Sequence, residues 1–365
     1  MNSEQLLEII RAMKLEILEL LHDANLANDR EARRALQIID SMYSRIDAAV
    51  EEVIPAESVK AYFSGIDEAS KALNSAGLYP ISGLAASISS SGQIASAFAT
   101  RVHMEAIAEI TDNTMLDLKA AIRTARRNTH GNIENALSAV KNELQRGIIQ
   151  GKPRRVITQR VAESFAKEGM TSFITVDGRK LPLDFYSEVT VRTNLKTANV
   201  QGSNNRYLEN NVGLVEIFER GDGCAECAKY NGIVVSLTGE HEGFPTTDEA
   251  PLPPRHANCR GSTRPFVIEY KSDKEIEDAK SRWRNFNPSK DIRTPSQRKA
   301  YEEQQRLNRI NNYEKKRYAD IKGLLGDDAP KTLGAFRRMK RQNTDRFQEL
   351  QSEYRSIAQQ AGRSS

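Results

Sequence analysis

Cys224-Ala-Glu-Cys227 and His256-Ala-Asn-Cys259 are the stretches of this chain whose residue types and spacing suit shared chemistry. All three cysteines of the 365 residues fall within them. Together they form a C-x-x-C and an H-x-x-C pair, four soft or borderline donors of the kind a structural zinc ion takes in a tetrahedron. A two-residue spacer lets a tight knuckle aim both of its donors at one point. Two other readings stay open at this level: a metal-free loop closure held by hydrogen bonds, and a Cys224–Cys227 disulfide. His241 lies in the polar run Gly-Glu-His-Glu-Gly and is expected to face solvent.

Catalysis at these residues asks for more. A nucleophilic cysteine needs a base and an orienting group, and His256 is the one imidazole placed to act as that base. An activated-water zinc site needs an open coordination position beside a carboxylate, and Glu226 is the only acid inside the knuckle. A closed four-ligand site leaves no room for a substrate. Arg192 is the other polar residue an enzyme reading would use. No glycine loop with a lysine is present to cradle phosphates. The expectation is a protein without catalytic residues and without a small-molecule substrate.

The elements that must bring the two pairs together can be read on either side of them. Leu214 to Glu219 is an apolar strand leading into the first pair. Gly232-Ile-Val-Val-Ser-Leu237 is a second strand that returns the chain, and Arg264-Pro-Phe-Val-Ile268 a third. Upstream, Pro153 suits the first turn of a helix whose Ile157, Val161 and Phe165 share a face, closed by Gly169. Phe173-Ile-Thr-Val176, Asp177-Gly178 and Arg179-Lys-Leu181 read as a hairpin, since Asp-Gly supplies the positive φ angles of a two-residue turn. Leu183 to Gln201 is expected to be helical.

The order of these motifs resembles a family. An apolar strand, Asp222-Gly-Cys-x-x-Cys227, the Gly-led strand after Asn231, and Pro253-Pro-x-His-x-Asn-Cys-Arg260 are similar to the minor capsid or head-morphogenesis proteins of tailed bacteriophages, the group with the Mu F-like domain. Gly169-Met-Thr-Ser-Phe173, Asp177-Gly-Arg179 and Arg192-Thr-Asn194 agree with it, and the likeness runs over about residues 150 to 270. Members of that family often end the motif in Cys-Arg-Cys. Here the last position is Gly261, so no role that needs a further sulfur is expected. The resemblance implies a protein of few copies inside the procapsid, bound near the portal and supporting head assembly and DNA packaging or delivery. Its partners would be portal protein and capsid or scaffold proteins, with non-specific contact to packaged DNA. Two alternatives stand beside it: a zinc-stapled nucleic-acid-binding module, and a transferase or hydrolase acting on partner proteins.

Composition bounds the rest. Hydrophobic residues make up 39%, charged residues 28% and aromatic residues 6%, which describes a helix-rich, charge-covered chain with modest cores. No run of 18 apolar residues exists, so no membrane span is expected. Met1-Asn-Ser-Glu-Gln lacks the basic start of a secretory signal. Synthesis in a reducing host bacterial cytoplasm follows as the expectation, and it favours thiolate ligands over disulfides. The net charge of +4 is unevenly spread: residues 1–150 carry −5, residues 151–270 carry zero and residues 271–365 carry +9. An acidic front and a basic tail say more about partners than the total.

The front reads as amphipathic helices. Leu6, Ile10, Met13, Ile17 and Leu20 repeat with spacings of four and three, as do Ala35, Ile38 or Ile39, Met42, Ile46, Ala49 and Val53. Pro55 is expected to end the second helix, because it has no amide hydrogen and crowds the preceding turn. The run from Leu84 to Ser96 is almost all Ala, Ser, Ile and Gly. One helix is expected from about Gln93 to Arg127 and another from Asn132 to Ile149, with His22, His103 and His130 as ordinary core or surface histidines. In the tail, Thr294-Pro-Ser-Gln297 has the residues of a capping box and starts a helix to about Ile321. Lys315-Lys-Arg317 and Arg337-Arg-x-Lys-Arg341 are candidates for phosphate contact, or else a solvated face. The expected architecture is α+β and mostly helical. Residues 1–150 form a helical bundle or docking region, 151–270 an α+β domain with a small central antiparallel sheet and its Cys/His loop, and 271–365 a basic helical tail.

Overall fold

A computed structural model of the chain describes residues 1–26, 28–79, 101–145, 172–174, 180–221 and 223–360. Three long helices come first: α1 (Ser3–Asp23), α2 (Asp29–Ser75) and α3 (Arg101–Gln145). Asn2 caps α1 through a reciprocal pair with Gln5, and Asn28 caps α2. Leu6, Leu7, Ile10, Met13, Ile17 and Leu21 bury one stripe of α1 against Ala35, Ile39, Ile46, Val50 and Val53 of α2. The same core takes in Leu118, Ala121, Ile122, Ala125, Ile133 and Leu137 of α3.

Two helix expectations are corrected here. Pro55 sits inside α2, which continues for another twenty residues. The missing amide removes one hydrogen bond. Val53, Ile54, Tyr62 and Phe63, all buried, hold the helix on either side of it. Likewise α3 runs unbroken through Asn128 and Gly131, because the stripe that buries Ala125 continues at Ile133 and Ala136. Thr129, fully buried, hydrogen-bonds the Tyr43 hydroxyl at 2.8 Å and ties this stretch to α2.

A two-stranded antiparallel pair follows, β1 (Ser172–Ile174) and β2 (Lys180–Pro182), in register Phe173↔Leu181. The hairpin's strands are therefore where the sequence puts them. Its Asp177-Gly178 turn, the helix expected from Pro153 to Gly169 and the run from Leu84 to Ser96 lie outside the described residues. The helix α4 (Leu183–Glu209) is two turns longer than its β-branched residues imply and crosses α2 at unusually close range. A Cβ at Gly65 would overlap the carbonyl oxygen of Asn199, and one at Gly202 would overlap that of Tyr62. Glycine is required at both positions for the backbones to meet, and Ser203 Oγ donates to the Gly65 carbonyl across the contact (2.9 Å).

After α4 comes a three-stranded antiparallel sheet in the order β4-β3-β5: β3 (Leu214–Phe218), β4 (Val234–Ser236) and β5 (Ser262–Pro265). The short helix α5 (Ala225–Ala228) lies between β3 and β4. The last strand begins earlier than its apolar letters suggest. Phe266 and Val267 leave the ladder to fill cores, and Ile268–Tyr270 turns into a 3₁₀ segment. Ala69 and Leu73 of α2 pack beneath the sheet with Tyr207, Val215, Ile217 and Val235.

The tail is helical: α6 (Asp273–Arg284), α7 (Pro295–Leu325), α8 (Leu333–Gln342) and α9 (Asp345–Gln360). Thr294 and Gln297 form the expected reciprocal cap of α7. The second half of α7 joins α8 and α9 around Tyr318, Ile321, Phe336 and Leu350, and Leu15 of α1 packs against that cluster. The fold is thus α+β and mostly helical. No described helix is long and apolar enough to cross a membrane.

Candidate metal centre

The register of the sheet explains why the two donor pairs meet. Phe218, the last residue of β3, pairs with Ser262, the first of β5, so both strands end at the same edge. The chain leaving β3 there becomes the first pair, and the chain entering β5 there brings the second. In the first pair Cys224 caps α5, its sulfur accepting the amide hydrogen of Cys227 at 3.4 Å. The second pair is a tight turn in which the Cys259 amide donates to the His256 carbonyl (3.0 Å) and Asn258 takes the left-handed backbone at φ 63°.

The side chains converge. His256 Nε2 lies 3.1 Å from Cys224 Sγ and 2.9 Å from Cys227 Sγ, and Cys227 Sγ lies 3.5 Å from Cys259 Sγ. On the other side of the imidazole, Nδ1 is 2.7 Å from the Ala257 carbonyl. Donation there fixes the tautomer and leaves the Nε2 lone pair aimed at the sulfurs, the arrangement that metal-bound histidines show. Cys227 and Cys259 are buried, Cys224 is half-buried and His256 is exposed. All three cysteines are free thiols.

One residue here has no counterpart in the reading of motifs. Glu219 follows β3, is buried, and shares with Cys227 and Cys259 a space in which all three donor atoms lie within 4.8 Å of one another. Gly261 leaves it room, since any Cβ there would strike the carboxylate. Arg255 Nη1 donates to Glu219 Oε1 at 2.5 Å, Arg255 Nε donates to the Pro251 carbonyl (2.8 Å), and the guanidinium stacks on Tyr230. Burial pushes the Glu219 carboxyl up to about 7, against the pull of Arg255. Cys227 shares a proton with Cys259, which holds the Cys259 thiol down at about 5 and drives the Cys227 thiol up. Burial lowers the pKa of Lys196 of α4, against the pull of Glu68, Cys259 and Glu219. The only sequence signal for Glu219 was its place at the end of an apolar strand.

Does this set suit a zinc ion? Bonds of about 2.0–2.3 Å in a tetrahedron place donors about 3.5–3.8 Å apart. Cys224, Cys227 and His256 reach that spacing with a few tenths of an ångström of outward movement, whereas Cys259 groups with Cys227 and Glu219 and would have to shift inward to complete the tetrahedron. The surrounding charge is compatible with thiolates: a dication with Arg255 offsets three of them, and Lys196, which also faces Glu68, lies toward Glu219. Three of the four expected donors, Cys224, Cys227 and His256, therefore fit the metal as they stand, and Cys259 lies beside Cys227 as the fourth. Cys224, Cys227, His256 and Cys259 would hold it, with Glu219 and Arg255 packed against them.

The other candidates lie elsewhere. His241 is half-buried against the backbone of Gly213, apart from the sulfurs. Arg192 pairs with Glu188 (2.5 Å) and Glu4 (3.2 Å), and Glu226 is exposed and paired with Lys229 (2.6 Å). His103 is a core histidine, as expected, but with partners that only the fold supplies. Its Nδ1 meets the Tyr62 hydroxyl (2.8 Å) and its Nε2 meets Glu209 (2.6 Å), which also pairs with Arg206 (3.2 Å). Residues after the sheet also close over the knuckle: Phe286 stacks on Tyr230 and Trp283, and Arg293 donates to the Gly223 carbonyl (3.3 Å).

Comparison with known proteins gives a family. The description phage minor capsid protein 2 matches residues 23–346, well beyond the stretch of about 150 to 270 that carries the motif resemblance. No curated protein and no solved structure matches the chain. With nearly the whole chain matched, from α1's end to the start of α9, the protein belongs to the phage minor capsid protein 2 family, a structural component of a bacteriophage virion that associates with other capsid proteins.

Proposed function

We propose that this protein is a non-catalytic assembly component held inside the procapsid near the portal, and that its Cys/His centre is a structural zinc clamp. The observation that carries the clamp is the convergence of Cys224, Cys227 and His256 at 2.9–3.1 Å, with Cys259 beside Cys227, at one end of the sheet. Two loops separated by the whole β4 excursion are tied there, which stiffens a sheet whose strands are only three to five residues long. In this reading residues 1–150 supply docking helices, 151–270 the clamped platform and 271–365 a basic tail toward DNA or an acidic surface. Synthesis in the host cytoplasm keeps the thiols reduced and available to the metal.

The position in the particle is tested by purifying procapsids and virions and quantifying the chain by mass spectrometry, together with co-purification of tagged portal protein. Presence in few copies per particle and retention on portal support the assignment. Absence from both particles ends it.

A further inference from the structure

The tail's cations divide into two kinds once the fold is known. Of the two clusters read from sequence, Arg337 and Lys340 both pair with Glu314, at 3.0 and 2.8 Å. Arg317 stacks on Tyr354, its guanidinium 3.7 Å from the ring centroid, and donates from Nη2 to Gln351 (3.1 Å). These contacts surround a cleft of about 490 Å³ between α7, α8 and α9. Arg317, Lys340 and Arg355 supply its charge, and Asn343, Gln348 and Gln351 its amide groups. Aromatic rings complete the wall, among them Tyr313, which is 61% exposed.

Several features mark this cleft as built for an anion. No carboxylate lines it among the described residues. Glu314 lies outside the lining and divides its charge between Lys340 in the wall and Arg337 beyond it. Arg317, in the wall of the cleft, keeps a buried Nε without a hydrogen-bond partner. The volume falls in the range of small-ligand sites. Cations approaching from three helices suit a group with several acceptor oxygens better than a flat carboxylate, which one guanidinium fork can serve. An exposed tyrosine ring offers a stacking face for what is attached.

We infer that the cleft between α7, α8 and α9 binds a phosphate ester, carried by a nucleotide that is either part of a nucleic-acid strand or free. The inference is independent of the Cys/His centre, and it gives the tail's expected contact with DNA a definite place. The test uses the full chain at low salt. Labelled single-stranded and duplex oligonucleotides are titrated by fluorescence anisotropy, and ATP and inorganic phosphate by calorimetry, for wild type, Arg355→Gln and Arg317→Gln. Arg346→Gln is the control, since Arg346 is on the same helix but pairs with Glu349 (3.1 Å) outside the cleft. Arg355 is exposed, so its replacement leaves the fold intact, which circular dichroism checks.

The expected result is binding of at least one phosphate-bearing probe, weakened about tenfold by Arg355→Gln and not by Arg346→Gln. For a single strand, the slope of log affinity against log salt falls by about 0.7 with the loss of that one contact. Binding of oligonucleotides alone assigns the strand as source, whereas binding of ATP or phosphate with the same variant sensitivity assigns the free form. The inference is overturned if no probe binds, if Arg355→Gln and Arg346→Gln behave alike, or if polyglutamate competes with every phosphate probe on equal terms.

Discussion

The helical core formed by α1 to α4 and the edge of the sheet at the Cys/His centre are held in opposite ways. The first buries long apolar stripes, with Leu6, Ile10, Ile17, Ile39, Ile46 and Val50 at most 2% exposed. Its stability is spread over many contacts, so single polar changes on its surface matter little. The second has short strands, two loops and a handful of polar groups that must all be matched. In the proposed clamp a few donors decide whether the loops have a structure at all. Stability that is distributed erodes gradually, and stability that is concentrated fails at once. The two regions should therefore come apart under the right perturbation.

Metal removal is the largest such perturbation. Treatment with a strong chelator is expected to abolish amide-exchange protection across residues 214–265 while the α1–α2 stripe keeps its own. A zinc site of this kind contributes on the order of 10 kcal/mol to the fold it holds. Equal loss in both regions, or in neither, would erase the contrast drawn here. Next in size is the buried pair beneath the site. The side chains of Arg255 and Glu219 are 7% and 3% exposed, and Arg255→Ala strands the carboxylate. Chemical denaturation should show a loss of about 3–5 kcal/mol.

The helical region has one concentrated point of its own, the α2–α4 crossing. Replacing a helical glycine by alanine ordinarily stabilises by about 0.5–1 kcal/mol. At Gly65 the added Cβ meets the Asn199 carbonyl, so Gly65→Ala is expected to destabilise by about 1–3 kcal/mol. A stabilised variant in a thermal melt would show that the backbones do not touch. A smaller effect concerns pH. His103 and Arg206 hold the Glu209 carboxyl below its ordinary 4.5, outweighing the burial that raises it. A depressed carboxyl contributes stability above about pH 4.5, and that contribution is lost as pH falls through the folded value. Wild type should therefore lose stability below pH 4.5 more steeply than Glu209→Gln, as urea unfolding at a series of pH values would show. The smallest effect is expected at Glu226, which is exposed and paired only with Lys229. Glu226→Ala should leave melting and metal content unchanged, and loss of either would give that acid a role at the centre.

How much of this was legible in the letters differs between the same two regions. Apolar spacing located α1, the first half of α2 and the α7 cap, because those elements answer to local periodicity and capping. Pro55 and the break expected between Arg127 and Asn132 misled because long-range burial outweighs a local break. Nothing local marks Gly65 and Gly202 as a crossing, since each is explained only by the other helix. At the Cys/His centre the four donors were visible from residue type and spacing. Glu219, Arg255 and Lys196 were not, as they reach the site only through the β3–β5 register and the packing of α4. The histidine network was hidden for the same reason: Tyr62, His103 and Glu209 come from three separate helices.

Zinc content measured by mass spectrometry on the dialysed full chain, for wild type and Cys227→Ser, tests the central claim most directly. The account predicts about one zinc per chain in wild type and near none in the variant. Wild-type protein that keeps its sheet protected from exchange while holding less than about a tenth of an equivalent of any metal would contradict it.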